Sequence, residues 1–374
     1  MKVLILIPCL LNGGTEMQTF QLASTLVKLN YEVEIISYFE YNELIVQKFK
    51  ELNLKVHLLN FQRSIKPTKF IKELKNEIKN INPNFVHIQY MAPGFLTLVA
   101  TKLAFVKKIY LTIHQPYTKS HKMISKILVR LAAFFSTKFV CVSLNTENSW
   151  FGSSRLFNSN STSKKHFTIY NSIDLNKIDN IINSTRKNYY SKQTSEIITI
   201  GALARMRHEK GIDILIESFK ILKTKYSNID LLLIGDGPNM NDYKKLVNKS
   251  NLNQSIHFLG ELSWEDAIYN INNCDIVVTP SRFEGFGLST AESMALHKPI
   301  VASNVDGLKE VVSEFETGLF FSNENINDLV SKIELLILDT ELRIEYGNNA
   351  RKRINEKFTS SNFEVNISKL YLIK

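Results

Sequence analysis

The sequence predicts an α/β chain made of two doubly wound, parallel-sheet domains. Three observations predict it. Short apolar runs rich in Ile, Leu, Val and Phe alternate with segments of helical periodicity, the pattern of a sheet buried on both faces. The alternation runs twice, once on each side of a polar stretch rich in Asn, Ser and Lys at 174–195. The 374 residues are enough for two domains of ordinary size.

In the first half, strands are expected at 3–8, 33–37, 55–59, 85–89, 109–113, 139–143 and 168–170. The first run, Met1 to Pro8, has an apolar core like that of a signal peptide. It is short and leads directly into a Gly-Gly turn, so a buried first strand fits better. Helices are expected between the strands, for example at 15–29, 68–80, 94–104 and 120–136. In the second half, strands are expected at 197–200, 230–235, 256–258, 276–279, 300–302 and 318–321. Helices follow at 211–223, 242–250, 264–272, 289–296, 327–338 and 340–357. Strand-then-helix order throughout implies parallel sheets. With 174–195 read as the linker, the expected domains are 1–178 and 186–357.

Composition is that of a soluble globular protein, with 44% hydrophobic and 22% charged residues. No apolar run approaches the roughly 20 residues that span a bilayer. Cys9, Cys141 and Cys274 are far apart and lack metal-type spacing, which suggests a reducing compartment and three small core residues. The net charge of +10 is uneven. Residues 1–185 hold 23 basic and 11 acidic side chains, whereas 186–374 hold 23 and 25. A basic first half calls for an anionic partner, either nucleic acid or a membrane surface. No helix-turn-helix, zinc or aromatic-stacking motif supports nucleic acid. In the segment 119–135, Lys119, Lys122, Lys126 and Arg130 fall on one side of a helix, and Met123, Ile124, Ile127, Leu128 and Leu131 on another. That pattern suits a helix lying on an anionic membrane, or a core-facing helix with a solvated charged face.

The chemistry-bearing segments all fall where a strand gives way to a helix. Pro280-Ser281-Arg282-Phe283-Glu284-Gly285-Phe286-Gly287-Leu288 leads into the helix at 289–296, placing Glu284 beyond the strand end and Glu292 about a turn inside the helix. Amides of Gly285, Phe286, Gly287 and Leu288 at a helix N-terminus suit an anion. Carboxylates on either side suit hydroxyls, so a sugar nucleotide is a fitting ligand. Arg205 and Lys210 share the loop before the 211–223 helix, one a rigid fork and the other a mobile point charge for a diphosphate. Gly13 and Gly14 let backbone approach a ligand, but they do not complete the six-position dinucleotide fingerprint, which argues against a nicotinamide enzyme. His114 ends the strand at 109–113, at the carboxyl edge where open α/β sheets bind ligands. Gly235-Asp236-Gly237-Pro238 ends the strand at 230–235 in the second half and forms a turn, with Asp236 fixing it.

The segment 281–303 resembles the signature of the retaining glycosyltransferases of GT-B fold, the group 1, family 4-like enzymes marked by two glutamates with seven residues between them. The resemblance extends through Ala291-Glu292-Ser293-Met294-Ala295 and Lys298-Pro299-Ile300-Val301-Ala302-Ser303, with His297 where glycine is usual, a helix-capping position. Arg205, four residues and then Lys210-Gly211 match the family too, as do Asn12-Gly13-Gly14-Thr15-Glu16 and Thr112-Ile113-His114. Gln115 replaces an acid that often follows this His, and Ser172 replaces the glycine of the interdomain Asn-Gly-Ile-Asp.

The resemblance covers most of the chain. It implies two Rossmann-like domains facing across a cleft, with the last segment, 358–374, crossing back onto the first. It implies retaining transfer from a nucleotide diphosphate sugar to a lipid-linked or polysaccharide acceptor in surface-glycan synthesis. A uridine diphosphate donor is expected, with guanosine open. The site would be peripheral at the cytoplasmic membrane face, without a bound metal or further cofactor, and no Asp-x-Asp motif occurs. The implied catalytic group is Glu284, His114, Arg205 and Lys210. Donor contacts would come also from Gly13, Gly14, Gly235, Glu261, Gly285, Phe286, Gly287, Leu288 and Glu292. The alternatives are an epimerase or hydrolase of nucleotide sugars, and a nucleotide- or nucleic-acid-binding α/β protein.

Overall fold

A computed structural model of the chain describes residues 1–91, 94–118, 120–158, 164–184, 186–191 and 196–372. It divides into two units, Met1–Ser172 with Ser360–Lys374, and Ile173–Thr359.

The first unit holds strands β1 (Lys2–Ile7), β2 (Glu32–Ser37), β3 (Lys55–Leu58), β4 (Phe85–Tyr90), β5 (Lys108–Ile113), β6 (Lys138–Cys141) and β7 (His166–Thr168). Helices α1 (Gly14–Lys28), α2 (Glu43–Glu51), α3 (Pro67–Ile81), α4 (Gly94–Leu103), α5 (Met123–Phe135) and α6 (Leu144–Phe151) connect them. The sheet is parallel, in the order β3-β2-β1-β4-β5-β6-β7. Strand periodicity explains the layering. Leu4 and Leu6 of β1 face a core with Phe70, Leu74, Leu98 and Ala132, while Val3, Ile5 and Ile7 face another with Leu22, Leu26 and Phe49. The second of these cores includes Ile367, Leu370 and Tyr371 from the terminal helix.

The second unit begins earlier than the sequence suggests. Helix α7 (Leu175–Ile182) lies within the expected linker, capped by Asp174 and burying Ile178 and Ile181. Ile173 N donates to Phe358 O at 2.7 Å, so both chain boundaries are pinned inside this unit. Residues 186–191 are bonded there as well: Tyr189 N to Asn270 Oδ1 at 2.8 Å and Tyr190 Oη to Asp230 Oδ2 at 2.7 Å. The stretch read as a linker is therefore mostly part of the second unit; positions 185 and 192–195 lie outside the described residues. Its polar composition hid a short amphipathic helix whose two buried isoleucines suffice for one apolar stripe.

The remaining strands are β8 (Ile198–Leu203), β9 (Ile229–Ile234), β10 (Ile256–Gly260), β11 (Ile276–Thr279), β12 (Ile300–Ser303) and β13 (Gly318–Phe321), parallel in the order β10-β9-β8-β11-β12-β13. The helices are α8 (Ile212–Lys225), α9 (Met240–Lys249), α10 (Trp264–Ile271), α11 (Leu288–Ala295), α12 (Asp306–Val311), α13 (Ile326–Leu338) and α14 (Thr340–Lys357). The terminal α15 (Ser360–Leu372) belongs to the first unit. Each sheet reverses its direction of growth once, between β1 and β4 in the first unit and between β8 and β11 in the second. Loops at the carboxyl ends of those strands diverge and leave room for a ligand.

Candidate active site

In the second unit, Arg205 to Lys210 follow β8 and Glu284 follows β11, so both loops flank the reversal point. Lys210 Nζ donates to Glu284 Oε1 at 2.5 Å, and the Ser281 hydroxyl donates to the same oxygen at 3.0 Å. Neither partner of the ion pair is fully withdrawn from solvent. Arg205 is exposed, and no carboxylate among the described residues pairs with it.

Arg282 fastens the two loops. Its guanidinium donates to both oxygens of Asp213, at 3.0 and 2.7 Å, to Glu324 at 2.7 Å and to the His208 carbonyl at 2.5 Å. Its own N–H donates to Glu209 O at 2.9 Å. Two carboxylates hold this guanidinium charged, against the cost of partial burial. Gly211 makes the close approach possible: it has φ of 65°, and a Cβ there would lie 2.0 Å from Pro280 O.

The turn after β9 joins the same cluster. Met206 N donates to Asp236 O and Asn239 N to Met206 O, each at 2.9 Å. The Asp236 carboxylate accepts from Gly237 N at 2.6 Å, a local turn-fixing bond. A Cβ on Gly235 would lie 2.0 Å from Ala204 O. Gly235 N donates in turn to Gly260 O, next to Glu261, at 2.8 Å.

Helix α11 starts at Leu288 after Gly287, whose φ of 90° only glycine adopts easily, and no side chain caps it. The first-turn N–H groups of Leu288, Ser289 and Thr290 precede the first intrahelical bond, made by Ala291 N to Gly287 O. Thr279 and Thr290 hydroxyls bond at 2.8 Å and tie this turn to the end of β11. Glu292, half-buried one turn on, accepts from Trp264 Nε1 at 2.7 Å. Burial pushes its carboxyl up to about 7, with the indole bond pulling the other way. His297 follows the helix with φ of 57°, the left-handed conformation of a helix-ending residue.

The first unit holds Gly13, Gly14 and His114. Gly13 and Gly14 begin α1 in the loop after β1. This helix N-terminus already carries an acid: Glu16 Oε1 accepts from Leu11 N at 3.3 Å, and its other oxygen lies 2.6 Å from where a Gly13 Cβ would stand. A carboxylate there disfavours a phosphate at the same amides, so the uncapped anion site is that of α11. His114 Nε2 pairs with Gln89 Oε1 at 2.7 Å across β4 and β5, and burial pulls the ring down to about 4, neutral at ordinary pH. With Gln18, His87, Thr112 and Asn171 it lines a cavity of about 20 Å³, room for an ordered water. Gln18 exchanges two hydrogen bonds with the Ser172 backbone, at 2.9 and 3.0 Å, and so anchors the start of the segment that sequence reading took as interdomain.

Helix α5 departs from expectation. It buries Val129, Ala132 and Ala133. Its larger apolar side chains point outward: Met123 is 71% exposed and Phe134 69%, with Ile124, Ile127, Leu131 and Phe135 also exposed. Arg130 is not part of a free basic stripe, because it donates to the carbonyls of Trp150 and Phe151 at the end of α6, at 3.0 and 3.4 Å. Lys126 stands over the Tyr117 ring at 4.9 Å, and Lys119 lies outside the described residues.

Sequence reading missed Arg282, Trp264, Gln89 and Gln18, which act through tertiary contacts. The available signal was Arg282's place in the signature segment, two residues before Glu284.

Two parallel, doubly wound α/β units are the build of the GT-B class of glycosyltransferase folds. A family model of group 1 glycosyl transferases matches residues 185–353, and one of glycosyltransferase family 4 matches 12–177. The chain belongs to this GT-B group 1, family 4-like glycosyltransferase family. It is 30% identical over 250 residues to the capsular polysaccharide biosynthesis glycosyltransferase CapM of Staphylococcus aureus, covering 66% of this chain and 64% of that one. It is 27% identical to the Campylobacter jejuni N,N'-diacetylbacillosaminyl-diphospho-undecaprenol alpha-1,3-N-acetylgalactosaminyltransferase, covering 81% and 82%. The chain spans 64%, 44% and 40% of the first three curated relatives it matches. Among solved structures, Anabaena Alr3699/HepE in complex with UDP and glucose superposes with a TM-score of 0.80 at 18% identity over the whole of both chains.

Proposed function

We propose that the chain is a retaining glycosyltransferase that moves a sugar from a nucleotide diphosphate sugar, with uridine as the favoured base, to a lipid-linked or polysaccharide acceptor. The observation that carries it is the pairing of Lys210 with Glu284 at the reversal point of the second sheet, with uncommitted Arg205 on the same loop. The diphosphate is assigned to Arg205, Lys210 and the amides of Gly285, Phe286, Gly287 and Leu288. The bond between the anomeric carbon and the phosphate oxygen breaks, and its electron pair leaves with the diphosphate. The acceptor oxygen bonds that carbon, and its proton passes to the departing phosphate. Fixed cations and amides that balance the leaving charge are the largest catalytic term, so the proposal needs no bound metal ion or cofactor.

Glu284 orients hydroxyls of the transferred sugar, displaced from Lys210 once phosphate takes that cation. Glu292 accepts from the ribose, and Gly235 and Glu261 border the nucleotide. In the first unit, neutral His114 and the Gly13–Gly14 turn stand at the carboxyl edge of the sheet, where open α/β sheets take a ligand. The HepE structure with UDP and glucose supports a uridine donor. The Campylobacter relative, whose name carries a diphospho-undecaprenol acceptor, supports a lipid-linked one.

An anionic membrane surface is the proposed setting, at the cytoplasmic face. The exposed apolar stripe of α5 supports it, as does the basic first half of the chain. No helix among the described residues is long and apolar enough to cross a membrane. Incubation with UDP-sugars and GDP-sugars, with and without a polyprenyl-diphosphate sugar, tests the reaction. Product of retained anomeric configuration is expected. Hydrolysis with inversion and no transfer would favour the hydrolase or epimerase reading.

A further inference from the structure

The Trp264 indole is the side chain that meets Glu292, and nothing in the spacing of the two glutamates points to it. Trp264 opens α10 directly after Ser263, whose hydroxyl caps the helix through Asp266 N. That cap fixes the first turn and aims the ring at α11, where Nε1 donates to Glu292 Oε1 at 2.7 Å. The ring itself is held. Lys177 Nζ of α7 stands 4.7 Å from its centroid and pairs with Glu265 at 3.4 Å. A cation over the ring draws electron density from it and makes the N–H a better donor. The other carboxylate oxygen of Glu292 takes no bond from any described residue and is free for a ligand.

We propose that Trp264 is a positioning residue for nucleotide recognition: its N–H holds the Glu292 carboxylate so that the free oxygen accepts from the ribose hydroxyls. The inference rests on the assignment of Glu292 to the ribose. It makes ribose recognition a joint property of α10 and α11, with α7 bracing the indole from behind. A carboxylate left without this donor would rotate and share its acceptor sites with water, so the loss falls on binding rather than on bond breaking. A hydrogen bond to a charged group contributes about 1.5–3 kcal/mol, which corresponds to roughly a 10- to 150-fold change in affinity.

The test is calorimetric titration of the full-length chain with UDP, GDP, dUDP and dGDP, for wild type, Trp264→Phe and Trp264→His. Phe keeps the ring under Lys177 and removes the N–H; His keeps a donor. Wild type is expected to prefer one ribonucleotide over its 2′-deoxy form. Trp264→Phe is expected to lose about tenfold or more in affinity for that ribonucleotide and less for the deoxy form, which keeps only the 3′-hydroxyl. Trp264→His is expected to recover part of the loss, and donor KM should rise in Trp264→Phe with kcat unchanged. Should wild type distinguish ribose from deoxyribose while Trp264→Phe distinguishes them equally well, the positioning role is overturned and the ribose assignment survives. Wild type binding both sugars equally would overturn the ribose assignment and this proposal with it. If Trp264→Phe unfolds, Trp264→Leu, which also lacks the donor, takes its place: loss of discrimination in a folded protein supports the role of the N–H, and wild-type discrimination overturns it.

Discussion

Glu284, proposed to orient the transferred sugar, is paired with Lys210. The pair sits partly in water, so its contribution to stability is small. Glu284→Ala is therefore expected to abolish transfer, by about 100-fold or more in kcat, with an unchanged thermal midpoint. Wild-type turnover would reduce this glutamate to a loop residue. Glu292 carries a separate, pH-dependent prediction. Burial sets its carboxyl at about 7, so the ionised acceptor is lost as pH falls through that value. Nucleotide affinity should drop between pH 8 and 6 in titrations, and Glu292→Gln should flatten the profile. Neutral His114, set at about 4, adds no limb in that window. These glutamates and cations were legible because each follows a strand at fixed spacing. Trp264 and Gln89 were not, because a hydrogen bond between α10 and α11, or between β4 and β5, leaves no mark in local sequence.

Among the elements, the loops after β8, β9 and β11 hold one another through backbone contacts that tolerate no side chain. Gly211→Ala would put a Cβ against Pro280 O and force an unfavourable φ. A loss of about 2–4 kcal/mol is expected, read as a lower midpoint in denaturant, together with weaker nucleotide binding. Helix α5 shows how periodicity misleads. Its apolar stripe was clear in the sequence, but the same pattern describes a core-facing helix, and small Val129, Ala132 and Ala133 are the side chains it buries in the core. Large side chains are left outside. The protein should sediment with anionic vesicles at low salt and release at high salt. Ile127→Asp with Phe134→Asp should abolish sedimentation without changing the thermal midpoint. Absence of wild-type binding at low salt would remove the membrane from the proposal. Helix α7 was hidden for the opposite reason, since two buried isoleucines in a polar run give too weak a stripe to read.

For the molecule as a whole, two parallel sheets follow from the repeated strand–helix alternation, and the family from the loops that end those strands. The division into Met1–Ser172 with the terminal helix and Ile173–Thr359 was legible only approximately. Tertiary bonds such as Tyr190 to Asp230, rather than composition, decide where a polar segment belongs. In the second unit the charged loops gather at the sheet reversal, where neighbouring loops diverge while their strands stay rigid. The most direct measurement is a crystal structure of the protein with a bound nucleoside diphosphate. The phosphates are predicted at the N-terminus of α11, within about 3 Å of Arg205 and Lys210, with Lys210 released from Glu284. A nucleotide seated elsewhere, with the Lys210–Glu284 pair intact, would contradict it.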